Sequence, residues 1–198
     1  MRELTAVESI TLDGVMQAPG RPDEDVRGGF EHGGWAVPYS DEVMGRAMGE
    51  RMAQGGSLVL GRRTYEDFAG YWPKQKDNPY TETLNRTQKY VASMTLDEPL
   101  PWENSTLLQG DAVAAVESLR REEGASLGIL GSGELVRALM RRGLIDEFVL
   151  LIHPLVLGSG QRLFPQGAPV PLRLTDSVTT TTGVLIATYR SESTGGGS

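Results

Sequence analysis

The stretch from Ser126 to Leu157, SLGILGSGELVRALMRRGLIDEFVLLIHPLVL, constrains this chain more than any other. Leu127-Gly128-Ile129-Leu130 is a short apolar run that ends at once in Gly131-Ser132-Gly133. From Glu134 onward Leu135, Val136, Leu139 and Met140 recur at helical spacing, which predicts a helix with one apolar face. Arg141 and Arg142 suit the negative end of the helix dipole, and Gly143 supplies a stop. Phe148 to Ile152 reads as a second buried strand, closed by His153-Pro154. Strand, tight turn, helix and strand imply a right-handed crossover between parallel strands. That arrangement aims the backbone N–H groups of Gly131, Ser132 and Gly133 at a helix start, where a phosphate can bind. The turn is not a Rossmann fingerprint. Val136 takes the place of the third glycine, and about twenty residues on, where an acid should hold a ribose, lies the apolar strand around Leu151. A tight structural turn and a phosphate site both remain open.

A chain of 198 residues suits one domain, and 39% hydrophobic with 23% charged residues is enough for a sizeable core. The formal net charge of −7 argues against a nucleic-acid surface, which needs a basic footprint. Without cysteine there is no disulfide, thiol catalysis or zinc–thiolate site, and two histidines make a histidine metal cage unexpected. The N-terminus lacks the apolar core of a signal peptide and no apolar run reaches membrane-spanning length, so a cytoplasmic protein is expected. Residues 1–192 read as one domain, and 193–198 as a flexible Gly/Ser tail.

Leu4 to Leu12 predicts a first strand, ending in the turn dipeptide Asp13-Gly14. Met16 to Pro38 is rich in Gly, Pro and charge; a loop this long is often a lid or binding loop. Phe30 and Trp35 are unusual passengers on a plain solvent loop, and His32 reads as solvated more readily than as an acid or base. Ser40 is expected to cap a helix reaching about Gln54. Ser57 to Leu60 is then a buried strand, and Gly61-Arg62-Arg63-Thr64 opens a further helix that Tyr65 and Phe68 pack. Two adjacent arginines at a helix start oppose its dipole, and arginine forks match phosphate oxygens, so this misfit favours an anion partner. Pro79 to Arg86 reads as a polar connection, Lys89 to Ala92 and Ser105 to Leu108 as strands, and Asp111 as the cap of a helix with an exposed end at Arg120-Arg121. Leu172 to Thr181 and Val184 to Tyr189 form a terminal hairpin around Thr182-Gly183. The pattern implies an α/β sandwich with a mixed sheet.

Four stretches taken in order give the chain a likeness. They are Ser9-Ile10-Thr11-Leu12-Asp13-Gly14, Leu58 to Tyr65, Gly131 to Leu135, and Gly143 to Glu147 with Pro154 to Gly160 and Leu163-Phe164. The chain resembles the dihydrofolate reductase-like superfamily, most closely its branch containing the reductase domain of bacterial riboflavin biosynthesis. The resemblance implies a three-layer αβα sandwich with a mostly parallel central sheet and a C-terminal antiparallel hairpin, binding NADPH across the carboxyl ends of the central strands. By it, Gly61, Arg62, Arg63 and Thr64 match the turn that holds the cofactor's adenosine side with its 2′-phosphate, and Ser93 is a further contact. Gly131, Ser132, Gly133 and Glu134 match the turn that receives the pyrophosphate. The segment Trp35 to Asp41 loosely resembles the loop-to-helix entry beside the substrate, making Trp35 and Tyr39 candidate substrate contacts. Asp41 there, and Asp13 in the branch's Ser-Leu-Asp-Gly position (with Thr11 intervening here), are the candidate catalytic acids. The expected activity is hydride transfer from NADPH to a small heterocyclic or carbonyl substrate. A folate or pterin reductase, and a catalytically silent nucleotide-binding protein of the same fold, are the alternatives. The resemblance also implies a homodimer, and the chain shows no deaminase zinc motif before the reductase-like region.

Overall fold

The computed structural model describes residues 1–192 apart from 77, 165, 166 and 168; the 193–198 tail lies outside the described residues. Strands β1 (Leu4–Thr11), β2 (Ser57–Gly61), β3 (Lys89–Ala92), β4 (Ser105–Leu108), β5 (Leu127–Leu130) and β6 (Glu147–His153) run parallel. The hairpin β7 (Leu172–Thr179) and β8 (Leu185–Ser191) joins β6 antiparallel. The sheet order is β4-β3-β2-β5-β1-β6-β8-β7.

Alternation along the strands sorts the core into two faces. Leu4, Ala6 and Ile10 of β1, Val59 of β2 and Ile129 of β5 pack with Val116 and Leu119 of α4 (Ala112–Arg121) and with Leu135, Val136 and Leu139 of α5 (Gly133–Met140). The opposite residues, Leu58, Leu60, Val91 and Leu130, pack against Tyr65 and Phe68 of α2 (Arg62–Tyr71) and Leu84 of α3 (Pro79–Arg86). On that same face Val149, Leu151, Val184 and Ile186 receive Met44, Ala47 and Met48 of α1 (Glu42–Ala53). Helices on both faces of one sheet make the three-layer αβα sandwich. Among the described residues no helix is long and apolar enough to cross a membrane.

Three local readings need correction. Asp41, not Ser40, caps α1: its carboxylate accepts the Met44 N–H at 2.8 Å. Pro79 to Arg86 is a helix rather than a connection, because Asn78 caps it and Pro79 sits in the first turn, where a missing N–H costs nothing. Lys89 then closes that helix, its buried ammonium donating to the carbonyls of Leu84, Asn85 and Thr87 at 2.7, 3.2 and 2.6 Å. Arg120 is buried, not exposed, because it pairs with Asp146 on the segment entering β6.

Candidate functional site

After β2 the chain moves through α2 to β3, toward one edge of the sheet; after β5 it moves through α5 to β6, toward the other. The two strands are neighbours and their helices leave on opposite faces, which opens a crevice at their carboxyl ends. That point in an open α/β sheet is where ligands bind. Its walls are the two glycine turns singled out in the sequence, Gly61 to Thr64 and Gly131 to Glu134.

The turns are stitched together. Gly61 N–H donates to Ser132 Oγ at 3.0 Å, and Ser132 N–H donates to Thr64 Oγ1 at 3.0 Å. Ser132 holds a left-handed φ of 59°, uncommon for a residue with a side chain, and this conformation accompanies the latch. Thr64 and the Ser132 N–H are therefore occupied within the protein, which corrects the expectation that three consecutive N–H groups face a phosphate. Gly133 lies against the thioether of Met16, so the long loop rests on the start of α5. Ser93, the residue after the end of the neighbouring β3, turns its hydroxyl to the N–H groups of Thr95 and Leu96, both at 3.1 Å.

The arginines frame the crevice with carboxylates attached. Arg62 pairs with Glu66 on its own helix at 2.9 Å. Arg63 reaches across to Glu134 at 2.9 Å, and Arg27 of the long loop approaches the same carboxylate at 3.5 Å. Exposed pairs of this kind are worth about 0–1 kcal/mol, so the guanidinium groups can exchange a carboxylate for a stronger anion.

Both candidate acids serve the fold. Asp13 accepts from Thr11 Oγ1 at 2.6 Å and from the N–H groups of Leu157 and Gly158 at 3.2 and 2.9 Å. The Thr11 hydrogen bond leads in bringing its carboxyl down from 3.8 to about 2. Asp41 accepts from Met44 N–H, Thr181 N–H and Thr181 Oγ1, joining α1 to the β7–β8 turn; the Met44 bond leads in lowering its carboxyl to about 2. These hydrogen bonds favour the ionised form of both carboxyls. A consequence is acid lability. The folded pKa of Asp13 is depressed, so its stabilisation is full above the unfolded value and is lost as pH falls from about 4 toward 2. Melting temperatures of the parent and Asp13→Asn, measured across that window, should converge as pH falls; a constant gap would refute this.

Trp35 and Tyr39 come together around His153 at the end of β6, with ring centres 5.0 and 5.7 Å from the imidazole and edge-on to it. Trp35 is buried and its Nε1–H donates to the Gln17 carbonyl at 2.7 Å, so it anchors the long loop. His153 Nδ1 lies 2.9 Å from the Leu151 carbonyl, which assigns the proton to Nδ1 and leaves Nε2 as an acceptor. Nε2 has no partner among the described residues, and burial pushes the ring's pKa down. His32 is exposed, its ring 5.6 Å from that of Phe30. Glu8 and His153 were not found from the sequence. The signal for Glu8 was present: it takes an inward position in the series Leu4, Ala6, Glu8, Ile10.

The profile of the RibD C-terminal domain family matches residues 2–186. The chain belongs to this family. It is a reductase-like domain of the riboflavin-biosynthesis type. The chain is 30% identical over 140 residues to the uncharacterized protein YyaP of Bacillus subtilis (strain 168), covering 67% of this chain and 72% of that one. It is 34% identical over 108 residues to the uncharacterized protein YwjB of the same organism, covering 54% of this chain and 58% of that one. Among solved structures it is similar to a putative riboflavin biosynthesis protein from Shewanella sp. PV-4, with a TM-score of 0.68, 20% identity, and coverage of 97% and 100%. A pyrimidine reductase-like protein from Corynebacterium diphtheriae NCTC gives 0.66, 12% identity, and coverage of 97% and 92%. These two likenesses establish the fold.

Proposed function

We propose that the chain is an NADPH-dependent reductase acting on a small heterocyclic or carbonyl substrate. The observation that carries this reading is the placing of Arg62 and Arg63 on one wall of the crevice where β2 and β5 part, with the start of α5 as the other wall. The donor set suits the nucleotide. Two part-exposed guanidinium groups paired with surface carboxylates can take up phosphate oxygens, and a helix start accepts further negative charge. Bound there, the dihydronicotinamide would supply a hydride. The chain's own residues bind and orient the nucleotide, while Met16 and Trp35 hold the long loop against α5 and β6.

Calorimetric titration should show NADPH binding in the micromolar range or tighter, with NADH weaker. Failure to detect either nucleotide at millimolar concentration would sink the proposal. A second reading, a nucleotide-binding protein without turnover, draws support from the hydrogen bonds that already engage the carboxylates of Asp13 and Asp41. NADPH binding without oxidation at 340 nm across pterins, pyrimidines, flavins and quinones would favour it.

A further inference from the structure

Glu8 lies on the central strand β1, is 3% exposed, and faces the side of the sheet covered by α5. Its Oε1 has no hydrogen-bond partner among the described residues. Burial pushes its carboxyl well above the ordinary range, against an opposing pull from Arg137 on α5. A buried polar group left unpaired is costly, and natural folds seldom keep one without a use. A neutral carboxylic acid offers one donor and one acceptor side by side, which complements a primary carboxamide.

Its position gives that chemistry an address. In the order β2-β5-β1, the first turn carries Arg62 and Arg63 and the second Gly131 to Gly133. The next strand in that direction is β1, about 10 Å from β2 at ordinary strand spacing. Val7 pairs with Leu130, so Glu8 comes level with Gly131, where β5 ends. Arg137, whose charge acts on Glu8, also lines an open cavity of ≈ 480 Å³ with Glu134 and Gly160 to Arg162. We infer that Glu8 is a specificity-determining residue that pairs with the carboxamide of the nicotinamide, its O–H donating to the amide oxygen and its carbonyl oxygen accepting the amide N–H. The inference rests on the crevice being an NADPH site.

The probes are NADPH and reduced 3-acetylpyridine adenine dinucleotide phosphate, which keeps the ring carbonyl and lacks the amide N–H. Dissociation constants are measured calorimetrically with the full chain. The parent should prefer NADPH by roughly tenfold, the worth of one buried hydrogen bond with its partner left unpaired. Glu8→Leu fills the same space without polar atoms and should bind both nucleotides with equal affinity, no tighter than the parent binds the analogue. Glu8→Gln, which can still pair with an amide, should keep the preference. A parent without preference, or Glu8→Leu with the preference intact, overturns the role of Glu8 and leaves the NADPH reading standing. The parent's own preference needs no variant, so misfolding of Glu8→Leu does not remove the test. A parent that binds neither nucleotide refutes the NADPH reading, and this inference with it.

Discussion

Replacing Asp146 with alanine is expected to destabilise the fold by about 3 kcal/mol, near the low end for breaking a buried ion pair. The Arg120 guanidinium, 7% exposed, donates to both Asp146 oxygens at 2.8 and 2.6 Å. It also donates to the carbonyls of Arg2 and Leu144 at 3.2 and 2.5 Å. Asp146 Oδ2 in turn accepts the Leu4 N–H at 2.7 Å. One carboxylate thus joins the end of α4, the start of β1 and the entry to β6, the strands that bear Glu8 and His153. Removing it strands a buried cation and frees a backbone donor. Asp146 itself is 36% exposed, so water can partly replace it, which is why the low end is expected. Asp146→Asn keeps an acceptor and should lose less. Urea unfolding of the parent and both variants measures the differences. A loss below about 1 kcal/mol for the alanine variant would mean that the pair behaves as a surface bridge.

Much of the fold could be read from the sequence because its signals are local. Apolar runs bounded by glycine placed β2 and β5, and helical spacing placed α5. Apart from Pro79, whose capping residue is its neighbour, what escaped depended on partners distant in sequence. Pro79 looks like a breaker until Asn78 is seen to cap the helix it begins. Arg120 looks like a solvated helix end until Asp146 arrives beside it. The expectation of open N–H donors at Gly131 to Gly133 failed because Thr64, on another turn, accepts the Ser132 N–H. Asp13 and Asp41 were legible as acids near strand and helix ends, but not as acceptors already engaged by the 157–158 and 181–182 segments. Periodicity reports which face a residue occupies; it says nothing of what meets it there.

Arg62→Ala should weaken NADPH by roughly ten- to a hundredfold and leave NADH nearly unchanged, since a charge-assisted contact is worth about 1.5–3 kcal/mol and 1.4 kcal/mol is a factor of ten. The two arginines point in different directions. Arg62 pairs with Glu66 along α2, on the side proposed for the adenosine and its 2′-phosphate. Arg63 spans the crevice to Glu134 at the start of α5, on the side proposed for the pyrophosphate. NADPH and NADH share the pyrophosphate and differ in the 2′-phosphate. Arg63→Ala should therefore weaken both by similar factors, whereas Arg62→Ala should separate them. Glu134 bears on the same balance. Its carboxylate occupies Arg63 and approaches Arg27, so an incoming anion must displace it; Glu134→Gln should tighten both nucleotides. Added salt should weaken NADPH more than NADH, because these groups are open to solvent. Calorimetric dissociation constants for both nucleotides with the parent and the three variants decide the matter. Equal losses in Arg62→Ala would place the 2′-phosphate elsewhere, and an unchanged or weakened affinity in Glu134→Gln would show that its carboxylate does not compete for the arginines.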